Sequence, residues 1–279
     1  MNKKFIITAD DFGISPGVND AIIKTYNKGN LTHASIMTNM KYFDDAIRKK
    51  KKHAKNLNIG LHFNLTTGKA LSDKNKINYF ADKNGHFKHS FIGLLLLPLY
   101  KNIKKLQQQI EIELDNQINY CLQNNIKLSH LDSHKHIHTI PWIFPVILKL
   151  SKKYGIPRIR IINEKILKTF FLKKDLTLLF SSSILKYIIL KSIYHFNKYK
   201  TDVYFFSILY SCKINKNIIQ KISDPKNFNY MEIMLHPGIH EIDKKIDFEY
   251  TEKYHLLTDY RKREFEILLD LKKVNSIFK

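Results

Sequence analysis

At 279 residues, with 44% hydrophobic and 12% aromatic content, the chain can fill a sizeable core as one large or two small domains, which excludes a disordered or collagenous polymer. Its 47 Lys and Arg against 25 Asp and Glu leave a net charge of +22, a balance that suits nucleic acid or an acidic membrane surface. The basic residues are scattered, with Lys49 to Lys52 the one tight run, so a Lys-, Asn- and Ile-rich composition with solvated lysines is the plainer reading.

In chain order, Lys4 to Thr8 is a short apolar run suited to a buried strand, ending in the polar turn Ala9 to Gly13. Ser15 followed by Pro16 predicts a helix start, with Val18, Ile22, Ile23 and Tyr26 on its apolar face and Gly29 as its stop. Ala34 to Met37 reads as a strand, Asp44 to Lys55 as a helix and Asn58 to Leu65 as a third strand. Lys69 to His89 is polar and irregular, a long loop, and the apolar stretch Phe91 to Tyr100 is too short to span a bilayer. Ile103, Leu106, Ile110, Leu114, Ile118 and Leu122 recur at three and four residues and mark a long amphipathic helix. Leu128 to Leu131 is a fourth strand before a His-rich turn, Trp142 to Tyr154 a helix, and Arg158 to Ile162 a fifth strand.

Beyond Asn163 the pattern weakens. Asp202 to Phe206 and Tyr230 to Leu235 read as strands and Tyr254 to Val274 as a closing helix. Leu176 to Phe196 is long enough to cross a membrane, but Lys186, Lys191 and several serines make it a buried or surface-lying helix instead. With no repeat and no linker, residues 1–279 read as a single domain carrying a variable apolar and basic segment at about 165–227. Alternating strands and helices predict an α/β fold, its mostly parallel sheet open or closed into a barrel. Cys121 and Cys212 have no metal or redox spacing and fit a reducing cytoplasm, and the run after Lys3 and Lys4 is too short for a signal peptide.

Four polar clusters lie at or just past predicted strand ends: Thr8 to Gly13 (TADDFG), Gly60 to Thr66 (GLHFNLT), Leu131 to His138 (LDSHKHIH) and His236 to Gly238 (HPG). That edge is where parallel α/β sheets and barrels build their sites. Singly the clusters are weak, because aspartates cap helices, a lone histidine is often a hydrogen-bonded core residue, and His-Pro-Gly serves turns. Together they supply Asp and His ligands for a divalent ion, a neighbouring carboxylate to act as base, and a distant histidine to act as acid. An extended chain would set His134, His136 and His138 on one side, and Asp132 suits a helix cap or an orienting partner for a ligand histidine.

These motifs, in this order, resemble the YdjC-like carbohydrate deacetylases, a family with chitooligosaccharide and hopanoid-biosynthesis branches. The resemblance implies a distorted (β/α) barrel related to the polysaccharide deacetylases, and hydrolysis of an N-acetyl group from a carbohydrate with one divalent ion, Mg or Zn. It implies that Asp11, His62 and His134 hold the ion, with Asp10 as general base and His236 as general acid. His136 and His138 would contact substrate or support the ligands, as would Asp132. Arg160 falls where the family often has an arginine, with Arg158 as its competitor. The resemblance also suggests a homodimer. The segment 165–227 has two readings, a helical pair or dimer face, or a peripheral contact with an anionic membrane. Another metal hydrolase on the same barrel, an amidohydrolase or phosphoesterase, is the main competing reading. A basic nucleic-acid binder is the weaker one, since no nucleic-acid module is present.

Overall fold

The computed structural model describes residues 4–164, 188–191, 193, 201, 203–210, 214–222, 230–246 and 256–270. Its framework is a six-stranded parallel sheet built from β1 (Lys4–Phe12), β2 (His33–Ile36), β3 (Asn58–Phe63), β4 (Leu128–Ser133), β5 (Val203–Phe206) and β6 (Tyr230–Leu235). The strand order is β4-β3-β2-β1-β6-β5, which places β1 at the centre between β2 and β6.

Around it lie α1 (Pro16–Asn27), α2 (Phe43–His53), α3 (Phe91–Leu96), α4 (Ile103–Gln123), α5 (Phe144–Lys153), α6 (Lys216–Ile222), α7 (His240–Asp243) and α8 (Asp259–Asp270). Helix α1 begins where the sequence places it. Ser15 is extended and its hydroxyl accepts from the Val18 amide, with Pro16 opening the first turn. Helix α4 buries Leu106, Ile110, Leu114 and Ile118. Its buried Glu113 and Gln117 accept from the amides of Leu71, Ser72 and Asn64, so this helix also pins the chain that leaves β3.

The sheet curls into a barrel that is closed irregularly. The expected fifth strand, Arg158 to Ile162, makes only a single parallel bridge, Leu131 to Ile159, flanked by Arg160 N–H to Leu131 O (3.0 Å) and Leu131 N–H to Arg158 O (2.9 Å). On the other side a side chain replaces a ladder: Asn163 donates to Val203 O (2.7 Å) and accepts from Phe205 N–H (2.8 Å). The segment thus spans the free edges of β4 and β5, giving the distorted (β/α) barrel. Pro157 supplies one physical reason for the poor ladder, since it has no N–H to donate.

Other departures from expectation are local. Strand β1 runs four residues beyond Thr8, and α3 forms within the apolar stretch 91–100. Most of the segment 165–227 and both ends of the closing helix lie outside the described residues. Among the described residues no helix is long and apolar enough to cross a membrane.

Candidate active site

The barrel interior is polar because alternate residues of each strand point inward. Thr8 and Asp10 come from β1, Ser35 from β2, His130 and Asp132 from β4, Arg158 and Arg160 from the closing segment, and Glu232 from β6. All but Arg158 are buried. Gly60 makes room for this packing, since a Cβ there would collide with the His130 ring.

Strand β1 resolves a geometric difficulty. Consecutive strand residues point to opposite faces, yet Asp10 and Asp11 both reach His62. The β1–β2 register shifts between Ala9 and Phe12, and Asp11 takes a left-handed backbone (φ 68°). This irregularity turns Asp11 back toward the interior while Asp10 keeps its inward place.

The two aspartates then belong to different circuits. Arg160 grips Asp10 with both ends of its guanidinium, at 2.7 and 2.9 Å, and also pairs with Asp132 Oδ2 (2.7 Å) and Glu232 Oε1 (2.9 Å). Arg158 completes the group by pairing with Glu232. Of the two arginines, Arg160 is the one that pairs with Asp10. Burial pushes the Glu232 carboxyl up, but Arg160 and Arg158 overcome it and hold it at about 2.

Asp11 Oδ1 faces His134 Nδ1 at 3.1 Å and His62 Nε2 at 3.5 Å, and Arg261 pairs with its other oxygen. Burial would raise the Asp11 carboxyl, yet Arg261 and the two histidines hold it well below the ordinary carboxylate range. His62 and Asp132 are cross-strand neighbours in the β3–β4 register, with Nδ1 and Oδ1 2.8 Å apart. A carboxylate only accepts, so Nδ1 carries the proton and Nε2 turns toward Asp11. Burial opposes charge on His62, but Asp132 and Asp10 push its pKa up to about 10 in the metal-free protein.

Asp11, His62 and His134 offer ligand atoms within 4.8 Å of one another. Tetrahedral zinc–ligand bonds of about 2.0–2.2 Å set ligand atoms roughly 3.3–3.6 Å apart, so the 3.1 and 3.5 Å separations fit one ion with little movement. The carboxylate behind His62 is the partner that usually fixes a metal-binding imidazole. Asp10, His62 and Asp132 also cluster, but Arg160 already pairs with both carboxylates, so the first trio fits a cation better.

The His-rich segment is not extended. Residues 134–139 form a tight 3-10 turn in which Lys135 and His136 are left-handed (φ 56° and 59°). The three rings therefore do not share a side. His134 faces Asp11, whereas the backbone N–H of His138 donates to Ser133 Oγ (2.8 Å) and its Nε2 donates to Arg160 O (2.9 Å). His138 is a strut between the turn and the closing segment, and burial lowers its pKa to about 4, so it stays neutral. His136 is buried with its ring edge-on to Phe205 at 6.3 Å.

His236 follows Leu235, which registers with Ala9, so it emerges beside Asp10 at the same edge. Its backbone N–H donates to Glu264, whose carboxylate also lies 3.7 Å from Nδ1. Gly238 N–H donates to Arg261 O and Ile239 N–H to Gly17 O, fixing the turn against α8 and α1. Arg261, Glu264, Glu232 and Ser35 were not singled out in the sequence. Glu232 had a signal, as the lone charge in the strand YMEIML; Arg261 and Glu264 had none near any motif.

A carbohydrate deacetylase of Brevibacillus brevis is 36% identical over 154 residues, 55% of this chain and 58% of that protein. Another from Thermoanaerobacter pseudethanolicus is 33% identical over 155 residues, covering 56% and 59%. These matches thus span less than two thirds of either relative. A carbohydrate deacetylase of Clostridium beijerinckii is 29% identical over 248 residues, 87% of this chain and 84% of that one. The crystal structure of a putative cellobiose-phosphate cleavage protein from Enterococcus faecalis superposes with a TM-score of 0.70 at 24% identity, covering 99% of this chain and 94% of that one, a likeness of fold. The sequence profile of the YdjC-like proteins matches residues 4–276, and the chain belongs to that family.

Proposed function

We propose that the protein is a metal-dependent carbohydrate deacetylase that hydrolyses the N-acetyl group of a sugar to acetate and a free amine. The observation that carries this reading is the Asp11–His62–His134 trio beside an aspartate clamped by arginine. Relatives named carbohydrate deacetylases support the substrate class.

A divalent ion held by Asp11, His62 and His134 supplies Lewis acidity toward an acetyl carbonyl and acidifies water. Two imidazoles in the donor set favour zinc over magnesium. Asp10, oriented by Arg160, takes the proton as water adds to the acetyl carbon. The bond from that carbon to nitrogen then breaks, and His236, braced by Glu264, gives its proton to the departing amine. Asp132 fixes the His62 ring, and Ser35 fixes Asp132 by donating at 2.7 Å. The buried free thiol of Cys121 suits a cytoplasmic enzyme.

The test is acetate release from N-acetylated chitooligosaccharides, with a phosphoester as control, for wild type and Asp10→Asn. Metal-dependent release that the substitution reduces about 10²–10⁴-fold is expected. Phosphoester turnover without acetate release would transfer the site to another metal hydrolase.

A further inference from the structure

Nine large apolar side chains stand exposed among the described residues, and five of them fall between positions 92 and 103: Ile92, Leu96, Leu99, Tyr100 and Ile103. They cluster along α3, the 3-10 turn Leu97–Leu99 and the start of α4, a stretch of twelve residues. Leu94 and Leu97 face the core from the other side. Leu99 is 79% and Tyr100 60% exposed, far from half-buried edge positions. Single exposed apolar residues need no explanation, whereas a contiguous group marks an interaction surface.

The chemistry around this face identifies its partner. Lys101, Lys104 and Lys105, within or just past the same stretch, are exposed, and no carboxylate occurs in the sequence between Asp82 and Glu111. A second copy of the chain would set these lysines against their own kind. An anionic bilayer accepts both features at once, taking apolar side chains at the acyl boundary and ammonium groups at the phosphates. The stretch is too short to span a bilayer, and its exposed side chains combine apolar groups with lysines.

The face also adjoins the site. Helix α3 packs against the turn that carries His134, and the Trp142 indole N–H donates to Leu94 O at 3.0 Å. We propose that residues 92–105 form an interfacial docking surface for anionic phospholipid, which holds the strand-end edge of the barrel at headgroup level. None of these side chains takes part in the proposed hydrolysis, so the two readings stand or fall separately.

The experiment is sedimentation of the full chain with vesicles of phosphatidylcholine alone or mixed with phosphatidylglycerol. Binding to the anionic vesicles only, weakening as salt rises, is expected. The double substitution Leu96→Glu and Leu99→Glu should weaken it at least about tenfold, with acetate release from a soluble sugar unchanged. A second variant, Lys101→Gln with Lys104→Gln and Lys105→Gln, should weaken binding without touching the apolar residues. Three outcomes overturn the proposal: no sedimentation with anionic vesicles, vesicle binding that both variants retain in full, or a dimer in solution that the Glu variant dissolves while vesicles are ignored.

Discussion

The deep half of the barrel interior and its rim are built from similar residues and behave oppositely. In the deep half Arg158 and Arg160 meet Asp10, Asp132 and Glu232, and each charge faces an opposite one. At the rim His62 Nε2 and His134 Nδ1 converge on the single oxygen Asp11 Oδ1, at 3.5 and 3.1 Å, and both rings become lone-pair donors there once they give up a proton. Such a paired network is a rigid scaffold, because breaking it leaves a buried charge uncompensated. Two imidazoles and a carboxylate oxygen gathered around one point can exchange those protons for a cation. The difference teaches that charge density alone does not mark a metal centre; what marks it is which polar atoms the fold leaves facing each other.

The comparison breaks most visibly at Arg160. Arg160→Met strips one guanidinium from three buried carboxylates and should cost about 3–5 kcal/mol in urea unfolding, besides abolishing acetate release. A loss below about 1 kcal/mol would mean the deep network is not what holds the barrel. His134→Ala should do the reverse. Metal affinity should fall about 100-fold, roughly 2.7 kcal/mol, while the metal-free protein unfolds within about 1 kcal/mol of wild type. Calorimetric titration and urea unfolding of the same variant separate the two effects.

A smaller effect sharpens the packing side of the contrast. Gly60→Ala should destabilise by about 1–3 kcal/mol, because its methyl meets the His130 ring. Unchanged stability would show that His130 moves aside freely.

The smallest effect is a pH dependence. Burial lowers His33 and His138 to about 4 from 6.5, and pushes His130 well below its ordinary value. Their folded pKa values are depressed, so the unfolded chain binds more protons between pH 6.5 and 4. Stability from these groups is complete above pH 6.5 and declines as pH falls through that window. The melting temperature of the metal-free protein should fall accordingly, and a flat profile across it would contradict the burial of neutral imidazoles.

The strand-end clusters were legible in the sequence because each is a short consecutive run next to an apolar strand. The spacing of the apolar residues on α4 and the Ser15–Pro16 start of α1 were legible for the same local reason. What the sequence did not disclose is set by tertiary geometry. The register shift that turns Asp11 inward depends on the pairing of β1 with β2, and the left-handed turn at Lys135 and His136 defeats simple alternation. Arg261 and Glu264 reach the site from α8, more than twenty residues past His236, where no local pattern distinguishes them from surface helix charges. Arg158 to Ile162 reads as a strand, but one bridge to β4 and a side-chain link from Asn163 to β5 stand in for its ladder.

The most direct test is to titrate zinc into metal-free protein and follow bound ion and acetate release from an N-acetylated chitooligosaccharide in the same samples. Release should rise in step with occupancy to one ion per chain, and Asp11→Asn should lose both together. Release that proceeds without bound ion, or that survives in Asp11→Asn with no ion bound, would contradict the assignment of Asp11, His62 and His134 as the metal centre of a deacetylase.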